Sequence, residues 1–417
     1  MSTLDLTTTM NPPEIAVEDR SSRSGGRPSL AVVCCALPPQ LDGIGDHSRG
    51  LAGALAAHAD VCILTVRGFV PDPIPGVQVL QSFGIEPRQS VNDLLAAVEA
   101  APPDWLILQY NPFCFGRRGF NPYLAKTVRR IKRNFSQTSL AVMVHEQYTP
   151  ANSFGNALMW TFQRRQFAAI TALADLTLFS TGPWWQKYRQ RHSRRRSLHM
   201  PVGSNVRVVP ADRRQVREEL GLTPKTLVLG SFGSDHGSRL LGYSVAAGRG
   251  LMAAGHDVCL LVVGSAGPAF RSIAGDLPII DLGPLPTDKV SRSLRAMDIF
   301  LSPFIDGVST RRGSFFAALQ HGLPIVTTRA YHSDPDLLRH DGRAFQTVAA
   351  SDLGGFVDAT IRLAGDPAMR QRLGSGAREC SEAQYSLPVL TGRWLDALQI
   401  APCRSAPAKR DVSVEPI

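Results

Sequence analysis

Residues 306–328 decide the fold of this 417-residue chain. They read Asp306-Gly-Val-Ser-Thr-Arg-Arg-Gly-Ser-Phe-Phe-Ala-Ala-Leu-Gln-His-Gly-Leu-Pro-Ile-Val-Thr-Thr328, and a short apolar run, Ile299 to Leu301, precedes them. The pattern predicts a strand, a loop of small and cationic residues, a helix from about Ser314 to His321 and a second strand from Pro324 to Thr327. Gly322 stands where a left-handed residue commonly ends such a helix.

The loop of this unit favours an anion. The free backbone N–H groups and the positive dipole end of a helix start attract negative charge. Arg311 and Arg312 add two planar cationic forks that match phosphate oxygens. We therefore expect a phosphate-bearing ligand here, and the alternative is an ordinary exposed loop with two solvated arginines.

Composition describes a soluble enzyme of two domains. The chain is too long for one compact core, and its 44% hydrophobic and 19% charged residues fit a globular protein. No apolar run reaches the length needed to cross a bilayer, and no secretory signal is recognisable, so we expect a cytoplasmic protein. The formal net charge of +10 predicts an anionic partner of some kind.

The cysteines favour a reducing compartment. They form no C-x-x-C pair, and several lie in apolar strand-like runs where a thiol behaves as a small hydrophobic group. This argues against structural zinc. The seven are Cys34, Cys35, Cys62, Cys114, Cys259, Cys380 and Cys403.

Strand-like runs alternate with helical stretches along most of the chain. This alternation predicts doubly wound parallel sheets with helices on both faces. The predicted organisation is a disordered tail (1–27), an N-terminal Rossmann-like domain (28–205), a C-terminal Rossmann-like domain (206–384), a final helix (385–400) and a second disordered tail (401–417).

Three further loops are candidates for ligand contact. Gly43 and Gly45 follow the first strand and would let backbone approach a ligand, although a plain tight turn is the alternative. The segment from Gly233 through Ser234 to Arg239 is a second glycine- and serine-rich loop that follows a strand. His145 stands at the carboxyl end of a strand, where open α/β sheets bind ligands, although a lone histidine is often structural.

A basic cluster with two tryptophans follows. Aromatic residues beside cations suit an anionic membrane surface. A solvated basic turn and a nucleic-acid surface are the alternatives, and no nucleic-acid-binding motif accompanies the cluster. Its members are Trp184, Trp185, Lys187, Arg189, Arg191, Arg194, Arg195 and Arg196.

Taken in order, these motifs resemble the GT-B-fold glycosyltransferases, in particular the large family 4 (glycosyltransferase group 1) of nucleotide-sugar-dependent enzymes. The resemblance covers about Ser29 to Leu398. The motifs that carry it are Asp42-Gly-Ile-Gly45, His145-Glu146, Pro201-Val-Gly-Ser-Asn205 and Gly322-Leu-Pro-Ile-Val326. It implies two Rossmann-like domains facing across a cleft, an N-terminal acceptor domain, a C-terminal donor domain and a final helix that crosses back to the first domain.

The resemblance also implies roles for individual residues. His145 matches the position whose side chain lies near the transferred sugar, and Asp306 is expected to reach the donor sugar. The family's second carboxylate is missing, because anchoring on Asp306-Gly307 places it at Ser314, and anchoring on Gly322 places the pair at Ser309 and Ala317. The expected replacements are Ser309, Thr310, Arg311, Arg312 and Ser314. The predicted donor and phosphate site also includes Gly43, Gly45, Gly233, Ser234, Arg239, Gly307 and Val308.

The predicted function is transfer of a sugar from a nucleoside diphosphate sugar to a glycan or lipid-linked acceptor. No D-x-D motif with a clear metal role is recognisable, so the arginines are expected to act in place of a metal, with no cofactor. The family implies retention of anomeric configuration. The alternatives are a non-catalytic nucleotide-sugar-binding homologue, a sugar-nucleotide epimerase of the same fold and, from the basic balance alone, a nucleic-acid-binding protein.

Overall fold

The computed structural model describes residues 26–84, 87–149, 151 and 153–401. The strands and helices up to residue 219 are β1 (Ser29–Val33), α1 (Gly43–Leu55), β2 (Asp60–Val66), β3 (Val77–Phe83), α2 (Pro87–Ala100), β4 (Trp105–Tyr110), α3 (Leu124–Asn134), β5 (Ser139–Val144), α4 (Phe154–Leu173), β6 (Leu176–Phe179), α5 (Gly182–Arg191), β7 (Ser197–His199) and α6 (Arg213–Glu219). The remainder are β8 (Leu227–Phe232), α7 (Leu241–Ala253), β9 (Val258–Val263), α8 (Gly267–Ala274), β10 (Ile279–Asp281), α9 (Thr287–Arg295), β11 (Ile299–Ser302), α10 (Gly313–Gln320), β12 (Ile325–Arg329), α11 (Pro335–Leu338), β13 (Gln346–Ala349), α12 (Leu353–Gly365), α13 (Pro367–Cys380) and α14 (Leu387–Leu398).

The first sheet has seven strands in the order β3-β2-β1-β4-β5-β6-β7. Every neighbouring pair in it is parallel. All five residues of β1 are buried, as expected for a parallel strand covered by helices on both faces. The strand order reverses between β1 and β4, so the loops after these strands open a crevice at the carboxyl edge of the sheet.

The second sheet has six strands in the order β10-β9-β8-β11-β12-β13. It is also wholly parallel. Its order reverses between β8 and β11, which brings the loop after Phe232 beside the loop after Ser302. An isolated antiparallel bridge between Arg239 and Phe304 ties these two loops together. The predicted phosphate loop therefore lies at the switch point of this sheet.

The final helix packs on the first domain. Trp394 is 1% exposed and shares a hydrophobic core with β1 side chains such as Val32. Arg196, which lies before β7, donates a 2.7 Å hydrogen bond from Nη2 to the carbonyl oxygen of Ala397. The chain thus returns to its first domain after completing the second.

The predicted doubly wound fold is confirmed. Gly322 has φ +66°, and Asp366 caps α13 by accepting a 2.8 Å bond from the backbone N–H of Met369. The tails predicted to be disordered lie outside the described residues, except for residues 26, 27 and 401. Within the described ranges, no helix combines the length and apolar character needed to span a bilayer.

Candidate functional site

Asp306 lies at the centre of the predicted phosphate loop and forms ion pairs with both of its arginines. The carboxylate accepts from Arg311 Nη2 at 2.8 Å, and Arg312 Nη2 lies 2.6 Å from Oδ1 and 2.8 Å from Oδ2. Asp306 is 6% exposed, so these contacts lie away from bulk water. The two forks predicted to hold phosphate are held by a carboxylate of their own loop, and an incoming phosphate would compete with it.

Arg311 also connects the two domains. Its Nη1 donates a 2.7 Å hydrogen bond to Oε2 of Glu146, which follows β5 in the first domain. Its guanidinium carbon lies 4.9 Å from the ring centroid of Trp184 at the start of α5, a cation–π distance. The carboxyl edges of the two sheets therefore meet at this side chain.

Arg312 and Arg239 both lie against Phe304, at 4.2 Å and 5.6 Å from the centre of its ring. Arg239 also donates to the carbonyl oxygen of Phe232 and, at 3.1 Å, to Oγ of Ser314. Burial lowers the pKa of Arg239 to about 10, and burial together with the neighbouring Arg311 charge lowers the pKa of Arg312 to about 10. Both remain protonated at neutral pH, so the switch point of the second sheet keeps a positive charge.

Several polar groups at and near the start of α10 have no hydrogen-bond partner among the described residues. No side chain caps this helix at its first residue, Gly313, so its first N–H groups keep the capacity to bind an anion. Ser309 is 1% exposed, and its hydroxyl has no hydrogen-bond partner among the described residues. The Nε of Arg312 is buried and unpartnered in the same way.

Thr310 is bonded to Asp334 and to the first domain. Its backbone N–H donates to Oδ2 of Asp334 at 2.6 Å, and its hydroxyl lies 2.6 Å from the carbonyl oxygen of Ser180. Asp334 is fully buried and also accepts a 2.5 Å bond from the N–H of Gly182, at the start of α5. Thr310 is thus part of the contact between the domains, and its role toward a donor phosphate stays a prediction.

His145 is buried at the edge of the first sheet. Its Nε2 lies 2.6 Å from Oε1 of Gln109 on β4, and its ring meets that of His47 edge to face, with centroids 5.3 Å apart. Burial, and then the neighbouring His47, lower the pKa of His145 well below its usual value. Burial lowers the pKa of His47 to about 4, and its Nε2 has no partner among the described residues. Both rings are neutral at pH 7.

Asp46 and Asn205 link the first domain to the start of α10. The amide nitrogen of Asn205 donates a 3.0 Å bond to Oδ2 of Asp46, in the first turn of α1. The amide oxygen of Asn205 lies 3.5 Å from where a Cβ on Gly313 would stand. Burial, and then the charge of Asp42, raise the pKa of Asp46 to about 6.

Several predicted contact residues have structural reasons for their identity. A Cβ on Gly45 would lie 2.5 Å from the carbonyl oxygen of Ala36, so this glycine is required by its own chain, whereas Gly43 faces open space. Gly307 has φ +85° and lies against the turn that contains Ala330 and Ser333. Gly233 has φ +125° and lies under Arg239, and Ser234 follows it. Val308 is fully buried in the core.

The basic cluster presents its cations and not its tryptophans. Trp184 is covered by Arg311, and Nε1 of Trp185 donates a 3.0 Å bond to the carbonyl oxygen of Ser197. Both rings are only partly exposed, while Lys187 and the arginines of the cluster are exposed. Contact of this cluster with a membrane stays a prediction.

Comparison with known proteins finds similarity to glycosyltransferases. The family model described as Glycosyl transferases group 1 matches residues 223–366. A mannosyltransferase from Corynebacterium glutamicum, named as GDP-mannose-dependent and acting on a monoacylated phosphatidylinositol monomannoside, is 29% identical over 226 residues. These residues are 49% of this chain and 56% of the relative, so the match spans little more than half of that protein.

Solved glycosyltransferases of the GT-B fold share the architecture of the whole described chain. Sucrose-phosphate synthase from Thermosynechococcus elongatus superimposes with a TM-score of 0.71 at 17% identity, covering 89% of this chain and 98% of that one. The Anabaena protein HepE, solved with UDP-glucose, gives a TM-score of 0.66 at 13% identity, covering 89% and 99%. This chain has the GT-B fold.

Several residues of the candidate site could not be predicted from sequence patterns. Glu146 follows His145 and was visible as part of that motif, but nothing local pairs it with an arginine of the other domain. Gln109 is a polar residue inside a buried strand, which is a weak signal for a site. Asp334 precedes a proline, which is typical of a helix N-cap, so the sequence does not predict its hydrogen bond to Gly182.

Proposed function

We propose that this chain is a glycosyltransferase that moves a sugar from a nucleoside diphosphate sugar to a glycan or lipid-linked acceptor. One observation carries the proposal: buried polar atoms without partners occur near the carboxyl edges of both sheets, where the domains meet. They are Nε2 of His47 and Nε2 of Gln109 on one side, and Oγ of Ser309 and Nε of Arg312 on the other. Buried polar groups normally have partners, so a polar ligand between the domains would satisfy them.

The chemistry of such a donor fits the charges of the second domain. When the sugar leaves, negative charge grows on the oxygen of the departing diphosphate. The start of α10 and the guanidinium of Arg312 are fixed in place beforehand, and each well-placed donor of this kind is worth about 3 kcal/mol of transition-state stabilisation. In this proposal the arginines take the place of a metal ion.

The first domain would supply the groups around the transferred sugar. His145 is neutral and held by Gln109, so it can exchange hydrogen bonds with a sugar hydroxyl without adding charge. Asp306 is the carboxylate assigned to the sugar, and it would reach the sugar when phosphate takes over its arginines. The arrangement is compatible with retention of configuration, which the family resemblance implies.

A lipid-linked acceptor is supported by exposed apolar side chains beside the cleft. Phe113 and Phe120 lie in the loop after β4 and are 50% and 47% exposed, and Phe154 at the start of α4 is 93% exposed. Arg117 and Arg118 are exposed in the same loop. Apolar and cationic side chains side by side suit an acceptor that lies in an anionic bilayer.

A non-catalytic nucleotide-sugar-binding protein is the second candidate. It is favoured by the double ion pair of Asp306 with Arg311 and Arg312, which occupies the groups that catalysis would use. Such a protein would bind the donor without consuming it.

Donor consumption separates the two. The protein is incubated with GDP-mannose or with UDP-glucose, with acceptor glycans or with glycolipids in anionic vesicles, and with or without a chelator. We expect release of nucleoside diphosphate that requires acceptor, survives chelation and falls about a hundredfold in Arg312→Met. Release of nucleoside diphosphate at the same rate without acceptor, or binding without release, would contradict the proposal.

A further inference from the structure

We infer that the second domain carries a binding site for a small phosphate-bearing molecule at the amino edge of its sheet, away from the cleft. The site is a cavity of about 490 Å³ between α13 and the segments that precede β11 and β12. Four arginines line it, Arg213, Arg295, Arg370 and Arg378, together with one carboxylate, Asp298. This inference goes beyond the proposed function and does not depend on it.

The cavity is separate from the donor site. The strands are parallel, so Asp298 and Pro324, which precede β11 and β12, lie at the opposite edge from Asp306. The helix α10 begins at the cleft and ends at Gln320, and the next residue, His321, lines the cavity. Its eight residues span about 12 Å.

The single carboxylate of the cavity is already fully engaged. Asp298 accepts from Arg213 at 2.6 Å, from Arg217 at 3.1 Å and from the backbone N–H of Val228 at 2.8 Å. Arg370 is also committed, because it donates a 2.8 Å bond to the carbonyl oxygen of Leu363. The positive charges of Arg295 and Arg378 are therefore not neutralised.

The side chains of Arg295 and Arg378 have no hydrogen bond or ion pair among the described residues. The Nε of Arg295 is buried without an acceptor, which is costly for a charged donor. Both charges act on His321, whose pKa is lowered first by burial and then by these two arginines. Both arginines and this imidazole line the same cavity.

The dipole of α9 explains the position of the Arg295 charge but not its unpartnered Nε. Arg295 lies in the last turn of α9, where a cation is favoured by the negative end of the helix. That effect does not supply an acceptor for its buried Nε. An oxyanion between Arg295 and Arg378 would supply it, and guanidinium groups match phosphate oxygens in geometry and charge.

The size and surroundings of the cavity restrict the ligand. A volume of about 490 Å³ is typical of pockets for small molecules. Beyond Arg378 a neighbouring cavity is lined by Glu379 and Glu382, and Glu379 pairs with Arg343 at 3.1 Å. These carboxylates disfavour a long polyanion, so a single phosphate on a small body fits best.

Calorimetric titration of the whole chain tests the site, with inorganic phosphate, pyrophosphate and glucose 6-phosphate as probes. The variants are Arg295→Gln and Arg378→Gln, with Arg372→Gln as the matched control, since Arg372 is exposed on the same helix as Arg378 and outside the cavity. We expect each cavity variant to weaken the binding of at least one probe about tenfold, and the control to leave it unchanged.

The variant Arg312→Met distinguishes binding in this cavity from binding in the cleft between the domains. Binding that survives in Arg312→Met and is lost in the two cavity variants supports the inference, whether or not any nucleotide binds. Binding that is lost only in Arg312→Met places the anion in the cleft and overturns the inference. So does equal binding by all variants, or no binding of any probe at millimolar concentration.

Discussion

Arg311 of the second domain donates a 2.7 Å hydrogen bond from Nη1 to Oε2 of Glu146 in the first domain. The same guanidinium donates to Asp306 and lies over the ring of Trp184. Opening the cleft would break a charge-assisted hydrogen bond and a cation–π contact together. We therefore expect this pair to hold the domains closed until a ligand competes for Arg311.

Replacing Glu146 by Gln should lower the free energy of unfolding by about 1 kcal/mol. The ion pair of Glu146 with Arg311 is partly buried, so its contribution should lie between those of exposed and of buried ion pairs. The side chains of Arg311 and Glu146 are 16% and 31% exposed. The midpoint of urea unfolding measures the effect. Arg343→Gln is the control, because its pair with Glu379 is 71% and 63% exposed and should contribute nothing measurable. Equal shifts in the two variants would argue against a role for Glu146 in closure.

The glycines of the first loop should respond differently to alanine. In Gly45→Ala the new Cβ would lie 2.5 Å from the carbonyl oxygen of Ala36, a backbone atom that cannot rotate away. We expect a loss of about 2 kcal/mol. Gly43→Ala meets nothing within 4 Å and should be neutral or stabilising, since alanine favours a helix. Thermal unfolding of both variants checks the pair, and similar losses would show that Gly45 is not limited by packing.

Acid should destabilise the protein through His47. Burial lowers the pKa of His47 in the folded state to about 4, from an ordinary value of 6.5. The unfolded chain therefore binds the proton first, and the stabilisation present above pH 6.5 is lost as the pH falls toward 4. The loss amounts to about 2 kcal/mol between pH 6.5 and 5. His47→Gln should flatten that slope in unfolding measurements across this range.

Asp46 should act in the opposite direction. Burial raises the pKa of Asp46 in the folded state to about 6, from an ordinary value of 3.8. The folded protein binds this proton first, so Asp46 contributes stability that is present below pH 3.8 and is lost as the pH rises through 6. Asp46→Asn should therefore steepen the acid loss that His47 causes. Parallel slopes in wild type, His47→Gln and Asp46→Asn would contradict both assignments.

Apolar runs and glycine positions were enough to predict most of the fold. The long buried strands, such as β9, were predicted because parallel strands covered on both faces are continuously apolar. The strand β7 was missed because Ser197–His199 directly follows the basic cluster and has no apolar run. β13 was missed because its four residues, Gln346–Ala349, are too short and mixed to stand out.

The candidate site was predicted only in part, because its contacts join distant segments. The stretch from Asp306 to Ser314 was identified from its own composition, whereas the pairing of both arginines with Asp306 depends on how the loop folds. Glu146 lies 165 residues from Arg311. Asp334 reaches Gly182 across 152 residues. Such contacts follow from the closing of two domains and leave no periodic signal.

The most direct test of a donor site in the cleft is stabilisation by nucleotides. Thermal unfolding is measured with UDP, GDP, ADP and dTDP at millimolar concentration, on wild type, Arg312→Met and the exposed control Arg343→Met. A nucleotide at about 100 times its dissociation constant adds about 2.7 kcal/mol of stability. We predict that one of the four stabilises wild type and the control, and that Arg312→Met loses this response. No stabilisation by any of them, or an undiminished response in Arg312→Met, would contradict a donor site at this loop.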